Sequence, residues 1–242
     1  NVDNFPKSDR IIRIAFVGFV AENKGADLLP AIMRQVVDNY PLVHFTVVGY
    51  GPLRKQLEDQ CREKGIGENC TFTGPLPISG VAEVLRNSDI FLLPTRIEGF
   101  GLVIAEAMMS GAVPVVSRLP GITDSIVIHE QTGMLVDVDE ANEFSLAIIF
   151  LLSNRDSLSL MRQNALTAAR RNLTLTRMID DYEQLFAMID DRSIVPRYNV
   201  TGWIFETIRE ISKKDPSGSY RLRKKIGTVK GVLRSILWKF DY

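Results

Sequence analysis

The sequence predicts an α/β fold, a doubly wound parallel sheet, and two observations lead to it. Short apolar segments alternate with amphipathic segments along the 242 residues, which is typical of strands joined by crossover helices. Glycine-containing loops follow four of the apolar segments, at residues 18–25, 49–52, 74–76 and 98–101. Sheets of this kind bind ligands outside the carboxyl ends of their strands. We therefore expect the four loops to meet at one ligand-binding edge.

The segment from residue 89 to 117 contains a complete strand–helix–strand unit. It begins with a short apolar run, as in a strand covered on both faces, and Pro94 ends that strand. The following loop has a glycine on each side of Phe100, which allows a tight bend and close approach to a ligand. A helix is expected from Leu102, and Gly111 is placed to end it before the next apolar strand.

The remaining elements follow the same alternation on both sides of this unit. Apolar side chains between residues 28 and 37 recur at the i, i+3, i+4 spacing of a helix face. The other predicted strands are residues 11–20, 43–48, 70–73 and 134–138, and the other predicted helices are residues 26–39, a helix reaching residue 64, 80–87, 140–153, 156–171 and 176–190. Crossovers between parallel strands should be right-handed.

Two acidic residues flank the predicted start of the central helix. Glu98 lies in the loop before the helix, and Glu106 lies about one turn inside it. A helix N-terminus offers unpaired N–H groups and partial positive charge, which suit a phosphate. One carboxylate on each side of a phosphate matches a nucleotide diphosphate sugar, whose sugar and ribose hydroxyls flank the diphosphate. The alternative is a solvated helix start, where acidic residues are favoured anyway.

The same segment carries a long signature. Residues 94–101 read Pro-Thr-Arg-Ile-Glu-Gly-Phe-Gly, and Glu-Ala-Met follows at residues 106–108, before Gly111 and a Pro-Val-Val strand at residues 114–116. This order resembles the C-terminal, donor-binding half of the retaining GT-B glycosyltransferases of family 4, whose signature is Pro-Ser-x-x-Glu-Gly-Phe-Gly-x-x-x-x-Glu-Ala-Met. The resemblance covers residues 10–190 and implies the Rossmann-like C-terminal half of the GT-B fold.

The resemblance implies roles for residues at all four loops. Glu98 and Lys24 are the catalytic candidates, because Glu98 would contact hydroxyls of the donor sugar and Lys24 would bind the diphosphate. Glu106 would hold the ribose hydroxyls. The other substrate-binding candidates are Gly18 and Phe19 after the first strand, Gly49, Gly51 and Gly74 around the nucleotide, and Phe100, Gly101, Leu102 and Val103, whose backbone N–H groups would face the diphosphate and sugar. A solvated lysine and ordinary turns are the alternatives for Lys24 and the glycines.

One position departs from the family pattern. The family has Gly-Arg, a few residues and then Lys-Gly, with the arginine and lysine clamping the diphosphate. Gly18, Lys24 and Gly25 match this pattern, but Phe19 stands at the arginine position. A hydrogen bond to a charged group contributes about 1.5–3 kcal/mol, so its loss would weaken donor binding or slow the reaction. Arg96 and Arg118 in neighbouring loops are candidates to replace the charge.

Charge is distributed unevenly along a chain of zero net charge. Residues 197–242 hold eleven Lys/Arg and four Asp/Glu, whereas the remainder carries the opposite net charge. We expect residues 1–9 to be a linker or boundary, residues 10–192 to be the nucleotide-sugar-binding domain, and residues 193–242 to be a basic amphipathic helical tail. Two interpretations of residues 200–240 stay open, which are packing on this protein or a protein partner and contact with an anionic membrane.

Several classes of protein are not indicated by the composition. Two cysteines and two histidines make a dedicated metal site or a disulfide framework unexpected. No signal peptide or run long enough to span a bilayer is apparent, so we expect a cytoplasmic protein, peripheral to the membrane if the tail binds it. No cofactor is expected beyond the nucleotide diphosphate sugar as co-substrate, and no nucleic acid is expected as a partner.

The function that the resemblance implies is transfer of a hexose-type sugar. The donor would be a UDP- or GDP-linked sugar, and the acceptor a glycan or lipid-linked molecule, as in polysaccharide biosynthesis. Transfer would be retaining and metal-independent, and this chain would be inactive without an N-terminal acceptor domain. Two alternatives stay open: a non-catalytic nucleotide-sugar-binding or assembly module, which Phe19 and the charged tail favour, and a sugar-nucleotide epimerase of related fold.

Overall fold

The computed structural model describes residues 11–190, and the predicted alternation of strands and helices is confirmed within them. The strands are β1 (Ile12–Val17), β2 (Val43–Val48), β3 (Cys70–Gly74), β4 (Ile90–Leu93), β5 (Val113–Ser117) and β6 (Met134–Val136). The helices are α1 (Leu29–Asn39), α2 (Arg54–Glu63), α3 (Ile78–Arg86), α4 (Leu102–Met109), α5 (Ala141–Ser153), α6 (Arg155–Asn172) and α7 (Leu175–Asp190).

Two predicted boundaries were wrong around the first strand. The strand was expected to continue to residue 20, but β1 ends at Val17, because the chain there turns to interlock with the loop after β2. In that loop pair the Val20 N–H donates to the Tyr50 carbonyl at 2.8 Å. The next helix was expected from residue 26, but two 3₁₀ turns, Glu22–Lys24 and Ala26–Leu28, precede α1.

All strands of the described sheet are parallel, in the order β3-β2-β1-β4-β5-β6, which confirms the predicted fold class. β1 and β2 pair along their whole length, from Ile12 opposite Val43 to Val17 opposite Val48. The connections run outward in opposite directions from β1 and β4. The boundary between these two strands is therefore the topological switch point, outside which sheets of this type form their ligand crevice.

A helix layer covers each face of the sheet. α1 packs against α2 and α5, while α4 packs against α3 and α6. Every residue of β4 and β5 is buried, which explains why the sequence of both strands is almost continuously apolar. Asp89, at the start of β4, is also buried, and its carboxylate accepts hydrogen bonds from the Arg162 side chain at 2.7 Å and the Arg13 N–H at 3.1 Å.

The ends of α4 are set by two glycines. Gly101 precedes the helix with φ 81°, and Gly111 follows it with φ 84°. The N–H groups of Gly111 and Ala112 donate to the carbonyls of Met108 and Ala107, at 3.1 and 2.9 Å. This pattern is the Schellman motif, so Gly111 ends the helix as predicted.

The chain divides into two units between Asp180 and Asp181, within α7. The first unit contains the sheet. The described part of the second unit is the remainder of α7, where the rings of Tyr182 and Phe186 lie 6.2 Å apart. The predicted linker at residues 1–9 and the predicted basic tail at residues 193–242 lie outside the described residues.

Within residues 11–190, no single helix is both long and apolar enough to cross a bilayer. The pair α5 and α6 meets those two criteria only when taken together, and the two helices are bent by 103° at their junction.

Candidate functional site

A cavity of about 700 Å³ opens at the carboxyl ends of β1 and β4, at the switch point of the sheet. The loops after β1, β3 and β4 and the helices α3 and α4 form its walls. Eight of the predicted site residues line it together: Gly18, Lys24, Glu98, Phe100, Gly101, Leu102, Val103 and Glu106. Residues from separate loops therefore meet at one place, as the glycine-loop pattern predicts.

The two catalytic candidates are in direct contact. Lys24 Nζ lies 2.5 Å from Glu98 Oε1, and it also donates to the Ile97 carbonyl at 3.3 Å. The side chains are 22% and 10% exposed, respectively, so this ion pair is largely shielded from solvent. Lys24 follows β1 and Glu98 follows β4, so the pair bridges the switch point. The sequence indicated both residues but not their pairing.

The N-terminus of α4 faces the cavity beside this pair. Gly101, Leu102 and Val103 form the helix start and all line the cavity. The first N–H groups of an α-helix have no partner within the helix, and they carry partial positive charge. The cavity thus combines an ammonium group with a helix N-terminus, a combination suited to an anionic group such as a diphosphate.

Glu106 lies one turn further along α4, on the cavity side. Its carboxylate makes no hydrogen bond or ion pair with any other residue in the range 11–190. Partial burial raises the pKa of Glu106 above its ordinary value, because the surrounding protein disfavours the charged form. A carboxylate of this kind is available to accept hydrogen bonds from ligand hydroxyls.

Four of the predicted binding residues lie at the same edge of the sheet but do not line the cavity. A Cβ on Gly49 would stand 1.9 Å from the Gly18 carbonyl oxygen, and one on Gly51 would stand 2.2 Å from the Val20 carbonyl oxygen. Because Gly49 and Gly51 have no side chain, neighbouring backbone can approach them closely. The other two are Gly74, which has φ 76° at the end of β3, and Phe19. Nucleotide contact by these residues stays a prediction.

Phe19, at the position of the family arginine, packs against an aromatic partner. Its ring lies edge-on to the ring of Tyr50, with 5.3 Å between the centroids. Phe19 is 41% exposed. The pair therefore lies where the loops after β1 and β2 meet, and neither side chain is charged.

Neither arginine that was expected to replace this charge lines the cavity. Arg96 pairs with Asp27 through both guanidinium Nη atoms, at 2.7 and 2.8 Å, and its Nε lies 2.6 Å from Asp139 Oδ1. Arg118 Nε lies 3.4 Å from Asp137 Oδ1, in a different surface depression. Within the described residues the expected substitute for the family arginine is not found, because each guanidinium already has a carboxylate partner.

Sequence reasoning missed the apolar wall of the cavity except for the loop at residues 74–76, which was expected at the ligand-binding edge. This wall comes from α3, the residues before it and the end of α4, and consists of Leu76, Ile78, Val81, Ala82, Leu85 and Met109. Ile78 is 85% exposed although it begins a helix that packs on the core. The available signal was the strong amphipathic pattern of α3, which the sequence alone attributes to the core.

Comparisons with known proteins identify the family and the fold of the chain. The family model for glycosyl transferases group 1 matches residues 3–168, more than half of the chain. The chain belongs to the group 1 glycosyl transferases. It is similar to D-inositol 3-phosphate glycosyltransferase from Corynebacterium kroppenstedtii, with 32% identity over 166 residues, which cover 65% of this chain and 36% of that protein. It spans 29–44% of the length of other curated relatives that it matches.

Solved structures share the fold of this group 1 glycosyl transferase chain. The C-terminal domain of LpcC from Francisella tularensis superposes with a TM-score of 0.63 at 21% identity, over 68% of this chain and 87% of that one. Anabaena HepE, in complex with UDP and glucose, superposes with a TM-score of 0.66 at 20% identity, over 73% of this chain and 48% of that one. These likenesses establish the Rossmann-like GT-B architecture.

The site of this group 1 glycosyl transferase therefore offers three kinds of polar group around one apolar wall. They are the ammonium of Lys24, the carboxylates of Glu98 and Glu106, and the first N–H groups of α4. Among residues 11–190, no group of three or more His, Cys, Asp or Glu side chains is arranged to hold a metal ion.

Proposed function

We propose that this chain is the donor-binding part of a retaining glycosyltransferase of family 4. It would bind a nucleotide diphosphate sugar, linked to UDP or GDP, and present a hexose-type sugar to a glycan or lipid-linked acceptor. The single observation that carries the proposal is the contact between Lys24 and Glu98 beside the N-terminus of α4, inside the switch-point cavity. Membership in the glycosyl transferases supports the reaction class.

Lys24 and the start of α4 would act on the diphosphate. An ammonium group carries three N–H donors, so Lys24 can keep its bond to Glu98 and also donate to a phosphate oxygen. Charge builds up on the diphosphate as the bond to the sugar breaks. Donors that are already oriented toward that charge stabilise it in the transition state, and such preorganised electrostatics are usually the largest single contribution to catalysis.

The two carboxylates would address opposite ends of the donor. Glu98, in the loop before the helix, would accept hydrogen bonds from hydroxyls of the sugar. Glu106, one turn inside the helix, would accept hydrogen bonds from the ribose hydroxyls. The apolar wall from α3 would cover the face of the base. Since the phosphate charge is met by Lys24 and N–H groups, we propose that binding needs no bridging metal ion.

Transfer would require a second, acceptor-binding domain. The chain spans 36% of the length of the relative from Corynebacterium kroppenstedtii, and that relative is named for the whole reaction. We therefore expect the 242-residue chain to bind a donor without completing transfer. Joined to an acceptor domain, it should release nucleoside diphosphate.

Isothermal titration calorimetry against UDP-, GDP- and ADP-linked sugars tests the proposal. We expect saturable binding to one nucleotide class, and weaker binding in Lys24→Met and Glu98→Gln variants. The matched control is Lys55→Met, since Lys55 pairs with Asp59 on the surface of α2 and does not line the cavity. Absence of binding to every donor in the panel would refute the proposed function.

A non-catalytic binding or assembly module is the second candidate. One observation favours it: the family arginine is replaced by Phe19, which packs on Tyr50, and no arginine lines the cavity in the described residues. Such a module would bind a donor but would not turn it over even when joined to an acceptor domain. Measurement of donor hydrolysis or transfer in that longer protein separates the two candidates.

A further inference from the structure

Arg96 ties together three loops that are far apart in the sequence. Its guanidinium donates to both oxygens of Asp27, in the loop before α1, and to Asp139, in the loop before α5. The same Nη1 that bonds to Asp27 also donates to the Glu22 carbonyl. Arg96 itself belongs to the loop between β4 and α4. One planar side chain therefore uses its fork of N–H groups on all three partners, which a lysine cannot reproduce.

Further hydrogen bonds to a backbone carbonyl also join the loop after β1 to the loop after β4. The carbonyl of Asn23 accepts hydrogen bonds from the Arg96 N–H at 2.9 Å, the Ile97 N–H at 3.2 Å and the Thr95 hydroxyl at 3.1 Å. These bonds join residues 22–27 to residues 95–97. We call this set of bonds, together with the Arg96 ion pairs, the Arg96 clamp.

The Arg96 clamp adjoins the Lys24–Glu98 pair in both loops. Lys24 follows Asn23 in one loop, and Glu98 follows Ile97 in the other, so the two side chains extend from the residues that the clamp joins. Asp139 holds a left-handed backbone conformation, with φ 68°, which is unusual for a residue other than glycine. Its carboxylate bonds to Arg96 from that position.

We propose that Arg96 is a positioning residue, which holds the loops carrying Lys24 and Glu98 at the separation that lets both side chains engage the donor. The inference deepens the proposed function and rests on it, because it assigns Arg96 a part in the same site. Arg96 does not line the cavity, so it acts through Lys24 and Glu98 rather than by touching the diphosphate. Catalytic groups need placement within a fraction of an ångström, which loops achieve only when other residues hold them.

A general contribution to stability is the competing explanation. Partly exposed ion pairs contribute little to folding stability, and Arg96, Asp27 and Asp139 are all partly exposed. What distinguishes this arginine is its position, since its bonds to Asp27 and to the Glu22 carbonyl join the loop that carries Lys24 to the loop that carries Glu98. An experiment must therefore separate local placement from global stability.

The experiment compares Arg96→Gln, Arg96→Lys and a control, Arg118→Gln, in the full 242-residue chain. Arg118 also pairs with a carboxylate at the carboxyl edge of the sheet, Asp137 in the loop before α5, but it bonds to neither of the loops that carry Lys24 and Glu98. UDP and GDP, with uridine and guanosine, are titrated into each protein. Amide hydrogen exchange is measured without ligand.

We expect Arg96→Gln to weaken nucleoside diphosphate binding by about tenfold, while nucleoside binding stays within about twofold of the parent chain. Arg96→Lys should rescue little of the loss, because lysine lacks the planar fork. In a Lys24→Met background the further loss on Arg96→Gln should be small, because the interaction it serves is already gone. Arg118→Gln should leave the binding of the nucleoside diphosphates and of the nucleosides unchanged.

Exchange of the Arg96 and Ile97 amides should accelerate in Arg96→Gln, while exchange of the β4 amides is unchanged. Equal losses for nucleoside and nucleoside diphosphate, or full additivity with Lys24→Met, would overturn the inference. Unchanged exchange at Arg96 and Ile97 would overturn it as well, whatever the ligands do. If the parent chain binds no nucleotide, the proposed function fails, and the exchange measurement alone decides whether Arg96 holds these loops.

Discussion

At the scale of single residues, the carboxylates that line the cavity differ in whether they already have a partner. Glu98 is already engaged by Lys24, whereas Glu106 has no partner within residues 11–190. The difference has a chemical meaning, since an engaged carboxylate can orient a cation, whereas an unengaged one can accept bonds from hydroxyls. Each role leads to a different expectation for substitution.

Glu106→Ala should weaken binding of free UDP or GDP more than Glu98→Ala does. Ribose is present in every nucleotide, whereas Glu98 is assigned to a sugar that the free diphosphate lacks. A hydrogen bond to a charged group contributes about 1.5–3 kcal/mol, so Glu106→Ala should lose binding free energy of that order. Calorimetric titration of both variants measures the difference. Equal losses, or no loss in either variant, would contradict the assignment of the two carboxylates.

Nucleoside binding should depend on pH through Glu106. Burial raises the pKa of this carboxyl, so part of the population is protonated at mildly acidic pH. The carboxylate is the better acceptor for ribose hydroxyls, so binding should strengthen as the pH rises through that pKa and then level off. Uridine and guanosine are the suitable ligands, because they carry no phosphate that titrates in the same range. In Glu106→Gln the slope should vanish.

The same pKa shift has an opposite consequence for stability. A carboxyl whose pKa is raised by folding binds its proton more tightly in the folded state, so ionisation lowers stability as the pH rises. Glu106→Gln should therefore raise the melting temperature at neutral pH and leave it nearly unchanged below the ordinary pKa of glutamate. A lower melting temperature at neutral pH would show that Glu106 has a stabilising partner.

Phe19→Arg should strengthen binding of nucleoside diphosphates. The position matches the arginine of the family clamp, and Arg96 and Arg118 are occupied by carboxylates, so neither competes for the diphosphate. A charge-assisted contact should add about 1–2 kcal/mol, and nucleosides should gain much less. Calorimetry with both ligand types measures the gain. If neither gains, the loop after β1 does not face the diphosphate, and the assignment of Lys24 falls with it.

At the scale of elements, the loops matter more than the strands they follow. Gly25 adopts φ 64°, and a Cβ there would stand 1.8 Å from the Pro94 carbonyl oxygen. The loop after β1 therefore lies directly on the loop after β4, and this contact brings Lys24 to Glu98. The sequence pattern identifies Gly25 as a family match, but only the packing shows what surface it touches.

Gly25→Ala should disrupt both stability and diphosphate binding, whereas Gly111→Ala should affect stability alone. Both positions have left-handed backbone, which costs an alanine about 1–2 kcal/mol. Nothing lies within 4 Å of a Cβ at Gly111, so the backbone conformation is the whole energetic cost of that substitution. At Gly25 the backbone of Pro94 must also move, and Lys24 moves with it. Thermal unfolding and calorimetry on both variants test the contrast, and equal behaviour would contradict it.

At the scale of the whole molecule, the candidate site is assembled from loops on both sides of the sheet's switch point. Lys24 comes from one side, and Glu98 and α4 come from the other. In the proposed function, this arrangement would meet phosphate charge with an ammonium group and oriented N–H groups. Because the protein would supply this positive charge itself, binding should not need a divalent ion from the solution.

Nucleoside diphosphate binding should be unchanged when divalent ions are removed. The titration is done with magnesium and then with an excess of chelator, and the two affinities are compared. In the proposed function, Lys24 and the N-terminus of α4 would balance the charge on the phosphates, so little change is expected. A loss of more than about tenfold, or about 1.4 kcal/mol, on chelation would show that an ion bridges the diphosphate.

The sequence determined the fold class, the edge of the sheet at which the cavity opens and eight of the residues that line the cavity. It could do so because these depend on local patterns: apolar runs in β4 and β5, glycines at positive φ around α4, and a contiguous signature from Pro94 to Met108. Boundaries such as the end of β1 were less certain, because the interlocked loops after β1 and β2 decide where pairing stops.

Only the tertiary structure decided the strand order, the Lys24–Glu98 pair and the part taken by Arg96. Each depends on contacts between residues far apart in the sequence, such as Lys24 and Glu98, 74 positions apart, or Arg96 and Asp27, 69 positions apart, which no local pattern encodes. Arg96 shows this most clearly. From the sequence it was a candidate to replace the charge of the family arginine, because it lies in a loop that neighbours the one carrying Phe19. In the folded chain Asp27 and Asp139 hold its guanidinium outside the cavity, so its charge serves the loops that carry the site.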